Sequence, residues 1–309
     1  MSRQIAFLFP AFAMKYQDFS RACLEGLEAE SAELLARARR LVDIDAGKFD
    51  NPAEFVLDDP LEDDLQDQYV CYIDGCAVGR LLKKRGIAGD YVAGYSMGLF
   101  AALRYCSAVS FEDGLRLLHH TCTCVHEAIE GGNYGMGVVV GLTPDEVAGL
   151  IAAHGLGVEV ADICGPRAVI AAGRRPQVER LLDVCEEEGC LNAKLLPVSA
   201  PFHSSLLCSV ESKVRSFLAE IEIRPARRGL VSCVDQKVLR APQDVADEAA
   251  KNVSYPIHWF KTMNRLVELG TDVFLECGLS ESLSNLARRI EGNYRIYHPR
   301  RFERFFAPA

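Results

Sequence analysis

The chain is short of several things that mark large classes of protein. It has no basic surplus: 34 Lys and Arg stand against 43 Asp and Glu, a formal net charge of −9. Binding to a phosphate backbone rests on Lys and Arg, so a nucleic-acid partner is not expected. No apolar run approaches the roughly 18 residues that span a bilayer, so no membrane partner is expected either. The 12 cysteines contain no C-x-x-C pair. The closest spacings are Cys122-x-Cys124, Cys71-x4-Cys76 and Cys185-x4-Cys190. That scatter predicts buried free thiols and a cytoplasmic location, with no metal site and no cofactor. Internal repeats, low-complexity stretches and Ser/Gly linkers are also missing.

What is present is material for a core. The 309 residues are 49% hydrophobic and 25% charged, enough for one large or two medium soluble domains. Near the start, Arg3, Ile5–Phe9 and Ala11-Phe12-Ala13 imitate a short signal peptide with an A-x-A site. The apolar run is brief and its positive region is a single residue. A buried first strand over 5–9, ended by Pro10, is the expected reading.

Apolar runs bounded by turn residues alternate with helical patterns. The pattern predicts helix over 16–41 and 65–85, strand over 91–95, and helices over 97–106 and 112–129. Such alternation implies an α/β fold, a mostly parallel sheet with helices on both faces. Between 134 and 198 the rhythm changes to strand 136–141, helix 144–154, strand 158–163, strand 168–172, helix 176–188 and strand 193–198. That βαββαβ order is the ferredoxin-like unit, expected as a small subdomain over 134–198 inserted between residues 1–133 and 199–309 of a large one. The first rhythm then resumes with helix 204–220, strand 230–234, helix 257–269, strand 272–276 and helix 280–290.

Gly94-Tyr95-Ser96-Met97-Gly98 fits G-x-S-x-G, with an apolar strand leading in and a helix leading out. A serine at that sharp corner has its hydroxyl exposed, and small flanking residues let the backbone turn. The helix N-terminus also directs N–H groups at a developing oxyanion. A serine nucleophile needs a base. Of seven histidines, His203 stands just past a strand end and ahead of a helix, where an α/β chain returns to its ligand-binding edge. His119, His120 and His126 lie on the 112–129 helix, with solvent exposure the expected reading. His154 ends a helix.

With these residues in place, the chain resembles the malonyl-CoA:acyl carrier protein transacylase family, which includes the acyltransferase domains of fatty acid and polyketide synthases. The resemblance rests on Phe7-Leu8-Phe9-Pro10, Gln68 ahead of a helix, the Ser96 pentapeptide, and Leu142–Gly173 with Val169-Ile170-Ala171-Ala172-Gly173. It continues through Leu196-Pro197-Val198-Ser199-Ala200-Pro201-Phe202-His203-Ser204, Pro256-Ile257-His258-Trp259 and Glu276-Cys277-Gly278. It implies a hydrolase-like core with a ferredoxin-like insert and a ping-pong Ser–His dyad: Ser96 takes the acyl group, His203 acts as base and then acid. It further implies that a backbone carbonyl near Ser232 or Cys233 orients the histidine. The backbone N–H groups of Met97 and Phe12 would hold the oxyanion. Gln68, Tyr95, Thr121 and Phe202 are implied at the substrate site.

Three departures from the family pattern stand out. The loop after the first strand, normally Pro-Gly-Gln-Gly, is Pro10-Ala11-Phe12-Ala13, so two glycines that ease unusual backbone angles are alanines. The residue before the nucleophile, usually histidine, is Tyr95. On the helix after the elbow, Thr121 and Cys122 stand where the family carries the Arg-Gly pair that holds a malonyl carboxylate. Helical spacing puts Thr121 in one inward stripe with Leu117, Leu118, Cys124 and Val125; His120 would replace the arginine only on a rotated helix. Burying a carboxylate without its bidentate partner costs several kcal/mol, on the order of a thousandfold or more in affinity. The resemblance therefore implies a trans-acting acyltransferase for an uncharged or amino-substituted acyl group. It would work from an acyl-CoA or the phosphopantetheine thioester of an acyl carrier protein. The alternative is an acyl hydrolase that strips carrier proteins; an ordinary esterase and a non-catalytic partner subunit fit less well. Basic clusters at Lys83–Arg85, Arg174-Arg175, Arg224 with Arg227-Arg228, Arg288-Arg289 and Arg300-Arg301 with Arg304 are candidates for docking an acidic carrier.

Overall fold

A computed structural model of the chain describes residues 3–11, 20–52 and 54–306. Strand β1 (Ile5–Phe9) is the buried strand expected there. Helices α1 (Leu27–Ala38), α2 (Ala46–Asp50) and α3 (Pro60–Lys84) follow, then β2 (Tyr91–Gly94), α4 (Leu99–Tyr105) and α5 (Phe111–Ile129). Next come β3 (Tyr134–Val140), α6 (Pro144–Ala153), β4 (Val158–Gly165), β5 (Ala168–Arg174), α7 (Arg175–Glu187) and β6 (Asn192–Leu195). The chain continues through α8 (Cys208–Leu218), β7 (Gly229–Val231), β8 (Val238–Leu239), α9 (Pro242–Lys251), α10 (Trp259–Glu268) and β9 (Val273–Glu276). It closes with α11 (Ser282–Ala287), β10 (Arg295–Tyr297) and α12 (Phe302–Phe306).

The larger sheet has strand order β10-β9-β1-β2-β7-β8, parallel throughout except for the β7–β8 hairpin. β1 is central, and its continuous apolar run suits a strand covered on both faces. Phe7 and Phe9 pack into one core layer and Ala6 and Leu8 into the other, as a period of two requires. The smaller sheet is antiparallel with order β4-β5-β3-β6 and is built from residues 134–195 alone. Its two helices and strand order are those of the ferredoxin-like unit, with its own core around Val139, Val169, Val178 and Leu181.

Local sequence explains the helix starts near the site. Pro60 opens α3 behind the Asp59 side-chain cap, several residues before the expected start at 65. The Ser110 hydroxyl accepts from the Asp113 N–H to start α5, and Thr143 with Glu146 makes a reciprocal capping box on α6. Of the helix expected over 16–41, the described part is a 3-10 turn at Arg21–Cys23 and then α1. α2, α9, β8, β10 and α12 lie outside the expected elements. Eight of the 12 cysteines are buried. Among the described residues no helix is long and apolar enough to cross a membrane.

Candidate active site

The corner between β2 and α4 is a single 3-10 turn over Ser96–Gly98. Ser96 has φ +52°, a left-handed angle that a side chain adopts only under constraint. The flanking glycines provide that constraint. A methyl on Gly94 would lie 2.3 Å from the Leu99 Cα, and one on Gly98 would lie 2.1 Å from the Phe9 carbonyl oxygen. The turn is thus pressed against the end of β1, with the Tyr95 N–H donating to the Phe9 carbonyl. Ser96 is half-exposed at the C-terminal edge of the parallel strands, where open α/β sheets bind ligands.

His203 comes to the same edge from the other side of the inserted sheet. Its Nε2 lies 2.7 Å from Ser96 Oγ, and it too has positive φ, +61°. Its N–H donates to the Val253 carbonyl, which fixes the backbone of the turn. The ring is buried, and burial pushes its pKa down to about 4; the nearby backbone carbonyls of Asn252 and then Tyr255 oppose that fall. His203 is therefore neutral near pH 7, and Nε2 is free to accept the serine proton. Nδ1 is buried and makes no well-formed hydrogen bond among the described residues. The expectation that a carbonyl near Ser232 or Cys233 orients this ring is corrected. The carbonyls beside the ring belong to Asn252 and Tyr255, while the Ser232 hydroxyl and the Cys233 N–H both donate to the buried Glu248 carboxylate. Asn252 also reaches the nucleophile, its Nδ2 donating to the Ser96 carbonyl at 3.2 Å.

The other expected site residues divide. Met97 follows Ser96 at the start of the turn into α4, where its N–H lies at a helix N-terminus. Phe12 lies outside the described residues. Gln68 is buried about two turns inside α3, not ahead of a helix, and α3 packs on the Ser96 turn. Phe202 is half-buried between the two cores, its ring centroid 6.3 Å from that of His203. Tyr95 differs from expectation in its polar end. The hydroxyl donates to Asp162 Oδ2 at 2.7 Å, and the ring packs edge-on against Trp259.

Thr121 is fully buried, as are Leu117, Leu118, Cys124 and Val125, so the inward stripe is as the helical period predicts. Its hydroxyl donates to the Leu117 carbonyl one turn back. His120 faces elsewhere, stacked on Phe217 at 4.6 Å with Cys124 within sulfur hydrogen-bond reach. Of the helix's other histidines, His119 is exposed with its Nδ1 on the Tyr69 hydroxyl, and His126 is half-buried. Asp64 of α3 was not foreseen. It lies beside Cys122 and the Ser199 backbone, and burial, then its neighbours Asp67 and Asp63, push its carboxyl up to about 7. Asn252, Glu159 and Asp162 were also missed; only the acidic run at 62–67 offered a signal in the sequence.

Comparison with known proteins follows this geometry. The pattern of the acyl transferase domain family matches residues 75–284. The chain is 26% identical over 298 residues to a malonyl CoA-acyl carrier protein transacylase of Bacillus subtilis, covering 93% of this chain and 90% of that protein. It is 30% identical over 217 residues to the polyketide biosynthesis protein ThaF of Burkholderia thailandensis, covering 69% of this chain but only 18% of that one. Among solved structures, an acyl-carrier-protein S-malonyltransferase from Burkholderia pseudomallei superposes with a TM-score of 0.85 at 29% identity, covering 96% of this chain and 95% of the other.

Proposed function

The chain belongs to the acyl transferase domain family, and on that premise we propose that it carries a non-malonyl acyl group on Ser96 to or between acyl carrier proteins. The observation that carries the chemistry is the 2.7 Å contact between Ser96 Oγ and a buried neutral His203 Nε2. Ser96 Oγ attacks the thioester carbonyl as Nε2 takes its proton, giving a tetrahedral oxyanion. The backbone N–H groups of Met97 and Phe12 are proposed as the donors to that oxyanion. Collapse breaks the C–S bond, the imidazolium returns its proton to the departing thiolate, and the acyl group remains as a serine ester. An incoming phosphopantetheine thiol reverses the sequence. In a hydrolase, water takes the place of that thiol.

The substrate reading rests on α5. Its inward stripe presents Thr121 with its hydroxyl already spent on the helix, and His120 is held against Phe217. The carboxyl of Asp64 lies beside Cys122 of that helix and disfavours a second carboxylate nearby, while Lys213, beside Cys124, is paired with Glu127. An uncharged acyl group enters without that penalty, and an amino-substituted one gains from it. The relatives' names specify malonyl transfer, so the proposal differs from them in the acyl group and shares the carrier protein.

Intact-mass measurement after incubation with malonyl, acetyl, longer-chain and aminoacyl thioesters, with Ser96→Ala as control, tests the proposal. A +acyl adduct from non-carboxylated donors that passes to a carrier protein is the expected result. Free acid without a lasting adduct favours the hydrolase. A stable malonyl adduct refutes the reading of Thr121.

A further inference from the structure

Residues 134–195 lie between Ser96 and His203 in the chain, and one strand of the sheet they form touches the flanks of both. From β4, the buried Asp162 accepts the hydroxyl of Tyr95, the residue immediately before Ser96, at 2.7 Å. Three residues earlier on β4, Glu159 accepts the N–H of Ser205 at 2.9 Å and also its hydroxyl, two residues after His203. The strand is itself tied to the larger unit. The Ile163 N–H donates to the Ile257 carbonyl, the Ile257 N–H to the Ala161 carbonyl, and the Trp259 N–H to Asp162 Oδ1 at 3.3 Å. A break in register between Val160 and Asp162 lets both carboxylates serve this side of the strand, whereas strict alternation would send positions three apart to opposite faces.

We propose that β4 sets the distance between Ser96 and His203, with Asp162, acting through Tyr95, and Glu159, acting through Ser205, as positioning residues. Both dyad members sit at positive φ, so each rests on a backbone that relaxes unless it is held. Carboxyl oxygens are the acceptors in both contacts, and they reach the two loops from one rigid element. Neither carboxylate touches the reacting atoms. The smaller sheet thereby acts as the jig of the dyad rather than as a separate module beside it.

The inference rests on the dyad reading but not on which acyl group is carried, so the test uses a fluorophosphonate probe that labels an activated serine whatever its natural donor. Labelling of the full chain is followed by intact mass against probe concentration, separating the maximal rate from the half-saturating concentration. Tyr95→Phe removes only the hydroxyl, Glu159→Ala removes both acceptors, and Glu159→Gln keeps one. The expected result is a maximal rate lowered roughly ten- to a hundredfold in Tyr95→Phe and Glu159→Ala. Half-saturation is expected to stay unchanged, with partial recovery in Glu159→Gln. The Glu159–Ser205 contact is exposed, so the two Glu159 variants test the inference even if Tyr95→Phe unfolds. Wild-type labelling rates in Glu159→Ala and Tyr95→Phe overturn the positioning role while leaving the dyad intact. A wild-type protein inert to the probe overturns the dyad reading itself.

Discussion

The burial of His203 makes a quantitative claim about pH. Its ordinary value is 6.5 and burial brings it to about 4. At pH 5.5 an ordinary histidine is about nine-tenths protonated and has lost most of its capacity as a base, whereas His203 is only about 3% protonated. Ser96 acylation by an uncharged thioester, measured as the initial rate of mass increase in short pulses, is therefore expected to hold from pH 8 down to about 5 and to halve near 4. A half-point near 6.5 would refute the argument, because it would mean that the ring is solvated in the working enzyme. The same shift enters folding. The folded state disfavours the proton, so the unfolded chain binds more protons between about 4 and 6.5. This group's contribution is fully present above 6.5 and is lost as pH falls toward 4. The loss amounts to on the order of 3 kcal/mol across that window. His203→Gln removes the titration, so the stability of wild type relative to that variant, from denaturant unfolding at pH 7.5 and 4.5, is expected to fall by an amount of this order. A constant difference would contradict burial of the imidazole.

Other expectations are more local. Ser96→Ala should abolish the acyl adduct, lowering turnover by at least about a thousandfold, with a native circular-dichroism spectrum. Gly98→Ala forces a methyl to within 2.1 Å of the Phe9 carbonyl oxygen and 2.6 Å of that of Pro10. It should cost several kcal/mol, about 3 or more, in urea unfolding and remove activity with it. Asp74→Asn breaks a buried pair in which Arg21 and the Ser31 hydroxyl both donate to the carboxylate. A loss of roughly 3 kcal/mol with unchanged acylation per folded molecule is expected. Arg301 and Arg304 are exposed beside the buried Phe302. Reversing both charges should weaken transfer to a carrier protein but spare acylation by small thioesters; equal loss of both would exclude a docking role.

The residues proposed to make the chemistry are legible because each carries local signals. Ser96 has its glycines, its strand and its helix within a few positions, and those glycines prove to be required by backbone contacts with Leu99 and Phe9. The continuous apolar run of β1 and the changed rhythm after 134 follow from burial on two faces and on one. The approach of Asn252 to the His203 ring is not legible because it depends on α9. Its buried face is Val245, Glu248, Ala249 and Ala250, small residues and a carboxylate, which make a faint apolar stripe. Without that helix nothing brings Asn252 beside His203. Tyr95 was assigned to the substrate because it precedes the nucleophile. Its hydroxyl partner is 67 positions away, and no periodicity reports a bond across that interval. β10 is three residues at an edge and too short to leave a pattern.

The insertion of one sheet within another also bears on when the molecule becomes reactive during synthesis. The smaller sheet is stitched by pairings close in sequence and can form as soon as residue 195 has emerged. The larger sheet places β9 next to β1, Val273 against Ile5, so its centre cannot close until nearly the whole chain exists. Ser96 follows β2 and emerges before either event, and His203 arrives 107 residues later. A nascent chain released early therefore holds a folded insert and an unarmed serine. Ribosome-stalled chains ending before β7 should be inert to a serine-directed probe, and competence should appear only in chains long enough to include β9. The arrangement delays acyl chemistry until the protein that must control it is complete.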